Sequence, residues 1–234
     1  MTKKIEFDGL KRQNYAVREG CNSLRTNIRF CGDSLQVLLI TSTVSEEGKS
    51  SLSFETARSF AEEGSRTLLI DADMRKSVIV TQRNIKCDED IRGLSHCLSG
   101  QAAVEDCIYS TDVENMDIIT AGPVTPNPTE LLGSANFREL IAYAREKYDC
   151  VIIDGPPLGA VIDAAVVAPE ADGAVFVIRD NWVSYRKVQE AVKQIKMTGC
   201  KVLGAVLNKE TDHKYYKKAY KKYKKYGHYD HYGR

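Results

Sequence analysis

Short, continuous apolar runs recur along this chain, each followed by a polar turn and then by a helical pattern. They read VLLIT at 37–41, RTLLID at 66–71, MDIIT at 116–120, CVIID at 150–154, GAVFVIR at 173–179 and KVLGAVL at 201–207. Strands that are apolar on both faces and separated by helices imply a mostly parallel sheet with helices on both sides. Ahead of the first run, Val17, Cys21, Leu24 and Ile28 keep helical spacing from Tyr15 to Phe30. SSLSFETARSFAEEG reads as a helix stopped by Gly64. TELLGSANFRELIAYAREKY reads as one helix with Thr129 as its N-cap, and further helices are predicted at about 160–169 and 184–197. The expected fold class is α/β: a doubly wound, mostly parallel sheet in one domain, with its sites at the carboxyl ends of the strands.

The charge is divided. Of the net +1, residues 212–234 carry +6 (seven Lys and one Arg against two Asp), which leaves −5 for residues 1–211. Seven of the twelve tyrosines also lie in that last stretch, at Tyr215, Tyr216, Tyr220, Tyr223, Tyr226, Tyr229 and Tyr232. So polar and repetitive a composition predicts a disordered tail. No apolar run approaches the roughly 18 residues of a membrane span, and no leader pattern follows the first lysines; the expectation is a cytoplasmic protein. The seven cysteines form no CxxC and read as reduced structural thiols.

The segment TSTVSEEGKSS lies between the first strand and its helix. Thr43 to Ser50 has the form of a phosphate-binding loop with Thr43 in place of its first glycine. In such a loop, backbone N–H groups and a helix N-terminus cradle phosphates, and Gly48 permits close approach. Lys49 reaches the terminal phosphates and the Ser50 hydroxyl ligates Mg²⁺. The candidate nucleotide contacts are therefore Ser45, Glu46, Glu47, Gly48, Lys49, Ser50 and Ser51. The two glutamates must turn their side chains away from a triphosphate. LLIDADMRK places Asp71 and Asp73 just past one strand, and VIIDGPP places Asp154 at the tip of another. Carboxylates at that edge can hold Mg²⁺ and accept a proton from a nucleophile.

The loop, the Asp71-x-Asp73-x-Arg75 motif, VIIDGPP, the stretch AGPVTPNPTELLGS and the tyrosine cluster together resemble the bacterial tyrosine kinases of capsule and exopolysaccharide synthesis, the CpsD/CapB-like type. The resemblance covers essentially the whole chain. It implies a P-loop fold of the ParA/MinD branch and an ATP- and Mg²⁺-dependent protein-tyrosine kinase that autophosphorylates its tail in trans. By position, it assigns phosphate binding to Lys49, metal ligation to Ser50, Asp73 and Asp154, and the base to Asp71. Asn208 would contact adenine. The family's activator is a membrane adaptor of the polysaccharide co-polymerase type, which would recruit the chain to the inner face of the plasma membrane. The resemblance further implies a homo-oligomer, a cognate tyrosine phosphatase and no nucleic-acid partner. It divides the chain into an N-terminal segment and helix for oligomer contact (1–35), a kinase domain (36–211) and the tail (212–234). The family's E-x-x-R-x-x-R helix motif is matched by Glu19 and Arg25, with Asn22 in place of the first arginine.

Two rivals belong to other classes. A positioning ATPase of the ParA/MinD kind usually carries a signature lysine where this loop has Val44, and lacks a tyrosine ladder. A basic arm that binds nucleic acid would explain the tail but not the carboxylates.

Overall fold

The computed structural model describes residues 3–7, 15–32, 34–86, 90–159 and 161–209. The tail and its seven tyrosines lie outside these residues. The strands are β1 (Lys3–Lys4), β2 (Glu6–Phe7), β3 (Val37–Ser42), β4 (Thr67–Asp71), β5 (Ile85–Lys86), β6 (Tyr109–Ser110), β7 (Met116–Ile119), β8 (Cys150–Asp154), β9 (Gly173–Arg179) and β10 (Val202–Asn208). The helices are α1 (Tyr15–Phe30), α2 (Lys49–Glu62), α3 (Ile79–Gln82), α4 (Leu94–Leu98), α5 (Pro128–Leu132), α6 (Ala135–Lys147), α7 (Asp163–Val167) and α8 (Tyr185–Met197).

The main sheet has the order β1-β6-β7-β4-β8-β3-β9-β10. Its pairs are parallel except β6 with β7, and β2 pairs with β5 in a separate antiparallel ribbon. The chain leaves β3, crosses β8 to reach β4, and later returns to build β9 on the other side of β3. The strand order therefore reverses at β3, which opens a crevice at its carboxyl end.

The apolar runs form strands because both of their faces are covered. Leu38, Ile40, Leu69, Ile152 and Val175 point into one core with Ile28, Phe54 and Phe60 from α1 and α2. Leu39, Leu68, Ile70, Ile153 and Phe176 point into the other, with Phe137 and Leu140 of α6 and Ile195 of α8. This alternation is the period of two of a pleated strand. Phe54 is fully buried, with Phe7 edge-on at 4.9 Å and the Arg83 guanidinium 3.9 Å above its ring.

The long helix predicted at 129–148 is two helices. Pro128 opens the first, with Asn127 at its N-cap, and Ser134 restarts the chain by accepting a hydrogen bond from Phe137 N. Thr129 is not a cap; its hydroxyl donates to Asp163. The predicted helix at 160–169 is the short α7 followed by a 3₁₀ turn, Ala168–Glu170.

Candidate active site

Five strand ends converge on the phosphate loop: Ser42, Asp71, Asp154, Arg179 and Asn208. Asp71 and Asp154 are register partners across β4 and β8. Both are fully buried. Lys49, the first residue of α2, sets its Nζ 2.8 Å from Asp73 Oδ2, 3.5 Å from Asp154 Oδ2 and 3.2 Å from Ser50 Oγ. Burial alone would lower the Lys49 pKa, but Asp154 and Asp73 raise it, so the ammonium is held charged.

The carboxylates feel the opposite force. Burial, with Asp154 beside it, pushes Asp71 up to about 7, against the Ser77 hydrogen bond and Lys49. Burial also raises Asp154, against Lys49 and the serine hydroxyls. Ser77 donates to Asp71 Oδ2 at 2.6 Å, and Asp73 N–H donates to Asp71 Oδ1 at 3.2 Å. Asp73 lines the main cavity, and Asp71, fully buried, does not. Asp154 Oδ1 accepts from Ser53, while Asp154 Oδ2 is buried with no hydrogen-bond donor.

Of the two glutamates of the loop, Glu47 turns away from the cavity, while Glu46 lines it, against the expectation that both turn away. Glu47 is fully buried and accepts from Val44 N at 2.8 Å and Arg179 N at 3.2 Å, so its carboxylate ties the loop to the end of β9. Glu46 adopts a left-handed backbone at φ 67°. Gly48 caps α2 at φ 92°, and a Cβ there would lie 2.1 Å from Asn208 Nδ2. Only glycine fits both the conformation and the space. Asn208 Nδ2 donates to Glu47 O and Asn208 Oδ1 accepts from Lys209 N, so Asn208 braces the loop at the cavity wall. Trp182 reaches the same loop, donating from Nε1 to Ser45 O at 3.4 Å with Arg179 stacked 3.9 Å over its ring.

The cavity measures about 770 Å³. Ser45, Glu46, Gly48, Lys49, Ser50 and Ser51 all line it, and Glu47 does not. Asp73, Arg75 and Asn208, named from the sequence, line it too; its walls on α1 and α3 and the partner of Arg75 were missed. Arg75 forks onto the buried Asp163 at 2.7 and 3.2 Å and onto Thr129 at 2.9 Å, which fixes the turn that carries Asp73. An Asp at the start of an apolar helix reads as a cap; its partner 88 residues earlier emerges only from the topology. Arg25 bonds Ser59 and lies 3.3 Å from Glu63, and Asn22 shares the Ser59 hydroxyl at 3.1 Å. The matched N-terminal motif thus fastens α1 to α2 within the chain. Cys21 of α1 faces the same cavity; burial and then Glu55 push its thiol up to about 11.

A crossover sheet with a GKS loop at the switch point, two buried strand-end aspartates and a lysine between carboxylates defines a P-loop nucleotide-binding protein of the MinD and ParA branch. The family model for the AAA domain matches residues 38–203. The septum site-determining protein MinD of Pyrococcus horikoshii, solved with Mg-ADP, superposes with a TM-score of 0.64 at 23% identity, covering 75% of this chain and 71% of that one, which shows the shared fold. The tyrosine-protein kinase CpsD of Streptococcus pneumoniae is 42% identical over 207 residues, 88% of each chain. The crystal structure of the chimerical protein CapA2B2 superposes with a TM-score of 0.77 at 33% identity, covering 85% of this chain and 92% of that one. The chain belongs to the bacterial tyrosine kinases of the CpsD and CapB type. Among the described residues, no helix is long and apolar enough to cross a membrane.

Proposed function

We propose that this protein-tyrosine kinase transfers the γ-phosphoryl group of ATP to tyrosine hydroxyls in the tails, 212–234, of neighbouring copies. The observation that carries this reading is Lys49, buried between Asp73 and Asp154 at the start of α2, in a chain of this kinase family. The loop amides and Lys49 hold the phosphates, with the ammonium exchanging carboxylate partners for phosphate oxygens.

The residues present fit Mg²⁺. Asp154 Oδ2 is a buried oxygen that makes no hydrogen bond and faces the Lys49 ammonium at 3.5 Å, and Ser50 Oγ and Asp73 are hard oxygen ligands on the same ammonium. Among the described residues, no group of three or more His, Cys, Asp or Glu forms a metal site alone. When bound, Mg²⁺ neutralises charge developing on the transferred phosphoryl group. Asp71, next to Asp73 at the carboxyl end of β4, is the base that takes the acceptor's proton. Asp73, at the cavity wall, aligns Lys49 and supports the metal.

Residues 36–211 form the kinase domain, 1–35 an oligomer contact and 212–234 the acceptor tail. Each phosphate adds roughly −1.5 to −2 charges, so modification of the tail reverses its +6. That reversal loosens the oligomer or the adaptor contact, and a tyrosine phosphatase resets it. The chain works in the cytoplasm, at the inner face of the plasma membrane, where a membrane adaptor of the polysaccharide co-polymerase type recruits and activates it. Through this cycle it regulates capsule or exopolysaccharide synthesis and export. The test mixes two complementary variants, Lys49→Met with an intact tail and a chain with an intact active site whose seven tail tyrosines are Phe, with Mg-ATP. Label on the Lys49→Met chain supports transfer in trans; label on neither rejects it.

A further inference from the structure

The −5 of residues 1–211 hides a second division of charge. Residues 1–180 hold 19 Lys and Arg against 28 Asp and Glu, a net of −9, whereas residues 181–209 hold six against one, a net of +5. Glu210 makes up the difference. Residues 181–209 are the turn after β9, α8 and β10. β10 is an outermost strand of the main sheet, and α8 packs on β9, β10 and α7. Positive charge therefore gathers at one edge of the sheet.

α8 sorts this charge by face. Ala191 and Ile195 are buried, and Val188 and Val192 are half-buried. At 3.6 residues per turn, Arg186, Lys193 and Met197 fall on the opposite face, with Lys187 and Lys196 to either side. All of these are exposed. Glu190 is the only acid on the helix, and it pairs with Arg186 at 3.1 Å. Two large apolar side chains stand at the ends of the helix: Tyr185 and Met197 are 76% and 78% exposed.

Helix stability does not account for this pattern. Arg186 and Lys187 sit in the first turn, where a cation opposes the helix dipole, and only Lys196 sits in the last turn, where it is favourable. α6 has the same length and covers the same core, yet it exposes both signs, with Arg138, Glu139, Glu146 and Lys147.

We infer that the outer face of α8 docks on an anionic lipid bilayer. Arg186, Lys187, Lys193 and Lys196 face the headgroup phosphates, and Tyr185 and Met197 seat at the headgroup boundary. Charge selects this face, since an anionic surface attracts the +5 edge and repels the −9 of residues 1–180. The apolar ends select a bilayer over nucleic acid, which would match the cations and leave Met197 in water. The surface gives the chain a direct hold on lipid, separate from any adaptor, and it does not depend on the kinase reading.

The test uses the full, unphosphorylated chain without nucleotide and measures its co-sedimentation with vesicles of phosphatidylcholine, with and without phosphatidylserine. The wild type is expected to sediment with the phosphatidylserine vesicles and to stay in solution with phosphatidylcholine alone. Lys193→Glu combined with Lys196→Glu is expected to lower the partition coefficient roughly tenfold or more, while Lys193→Arg combined with Lys196→Arg keeps it. Neither lysine lines the cavity at the phosphate loop, so melting temperature and ATP hydrolysis are expected to change little. The +6 of residues 212–234 is present in every variant. A double glutamate variant that partitions as the wild type does would therefore assign the contact to residues 212–234 and overturn the inference. So would a wild type that ignores phosphatidylserine vesicles, or one that binds a DNA duplex in their place.

Discussion

Lys49 Nζ lies 2.8 Å from Asp73 Oδ2, and the two side chains are only 10% and 7% exposed. This ion pair joins the helix that follows the phosphate loop to the turn that follows β4. It keeps the ammonium charged and aimed at the place where phosphate charge develops. Lys49→Met is expected to cut phosphoryl transfer about a hundredfold or more. It also leaves Asp71, Asp73 and Asp154 without their cation, which costs about 3 kcal/mol of stability. Single-turnover kinetics and urea unfolding on one preparation check both. Full activity in Lys49→Met contradicts the assignment.

Gly48→Ala meets two obstacles, a φ of 92° and an approach of 2.1 Å to Asn208 Nδ2. The expected loss is about 1–3 kcal/mol of stability, with nucleotide affinity down roughly tenfold or more. Thermal unfolding and nucleotide titration measure them. Wild-type affinity in this variant shows that the loop does not need its glycine.

The strands and the site were legible in the sequence to different degrees. GAVFVIR and CVIID match β9 and β8 residue for residue, because strands buried on both faces print an unbroken apolar run. Asp71, Asp73 and Asp154 were legible because each follows such a run. The two-residue strands β1, β2, β5 and β6 left no pattern to read. The break at Gly133 and Ser134 was missed because the apolar spacing runs on through it, while Gly133 at the C-cap of the first helix and Ser134 at the N-cap of the second divide the chain. The inward turn of Glu47 was foreseen from the charge of a triphosphate. Its partners Val44 N and Arg179 N were not, since they depend on which strand lies beside the loop.

Asp163 holds Arg75 through two hydrogen bonds and accepts a third from Thr129. Asp163→Ala leaves the guanidinium and the hydroxyl without their acceptor and frees the turn that carries Asp73. A loss of about 2 kcal/mol is expected, with kcat down roughly tenfold and ATP KM little changed. Steady-state kinetics settle it; a wild-type kcat would remove Arg75 and Asp163 from the account.

Asp172 gives the chain an acid-sensitive joint. Its Oδ2 accepts from Gln36 N, Val37 N and Arg145, and its Oδ1 accepts from Arg145 at 2.7 Å. Burial alone would raise this carboxyl, but Arg145 and the two N–H groups hold it below the usual carboxylate range. A depressed folded-state pKa stabilises above the unfolded value, about 3.9, and that stabilisation is lost as pH falls through the folded value. Asp172→Asn is expected to cost about 2 kcal/mol at pH 7, a gap that narrows as the pH falls below about 4. Denaturant melts across that range measure the gap, and a constant gap contradicts the mechanism.

The most direct measurement of the central claim is a phosphate map. The purified chain is incubated with Mg-ATP and the cytoplasmic segment of a candidate adaptor, and modified residues are located by mass spectrometry, with Lys49→Met as control. Phosphate on Tyr215 to Tyr232 that disappears in Lys49→Met is the expected result. Hydrolysis of ATP with every tail tyrosine unmodified would contradict the account and leave a nucleotide-switched ATPase in its place.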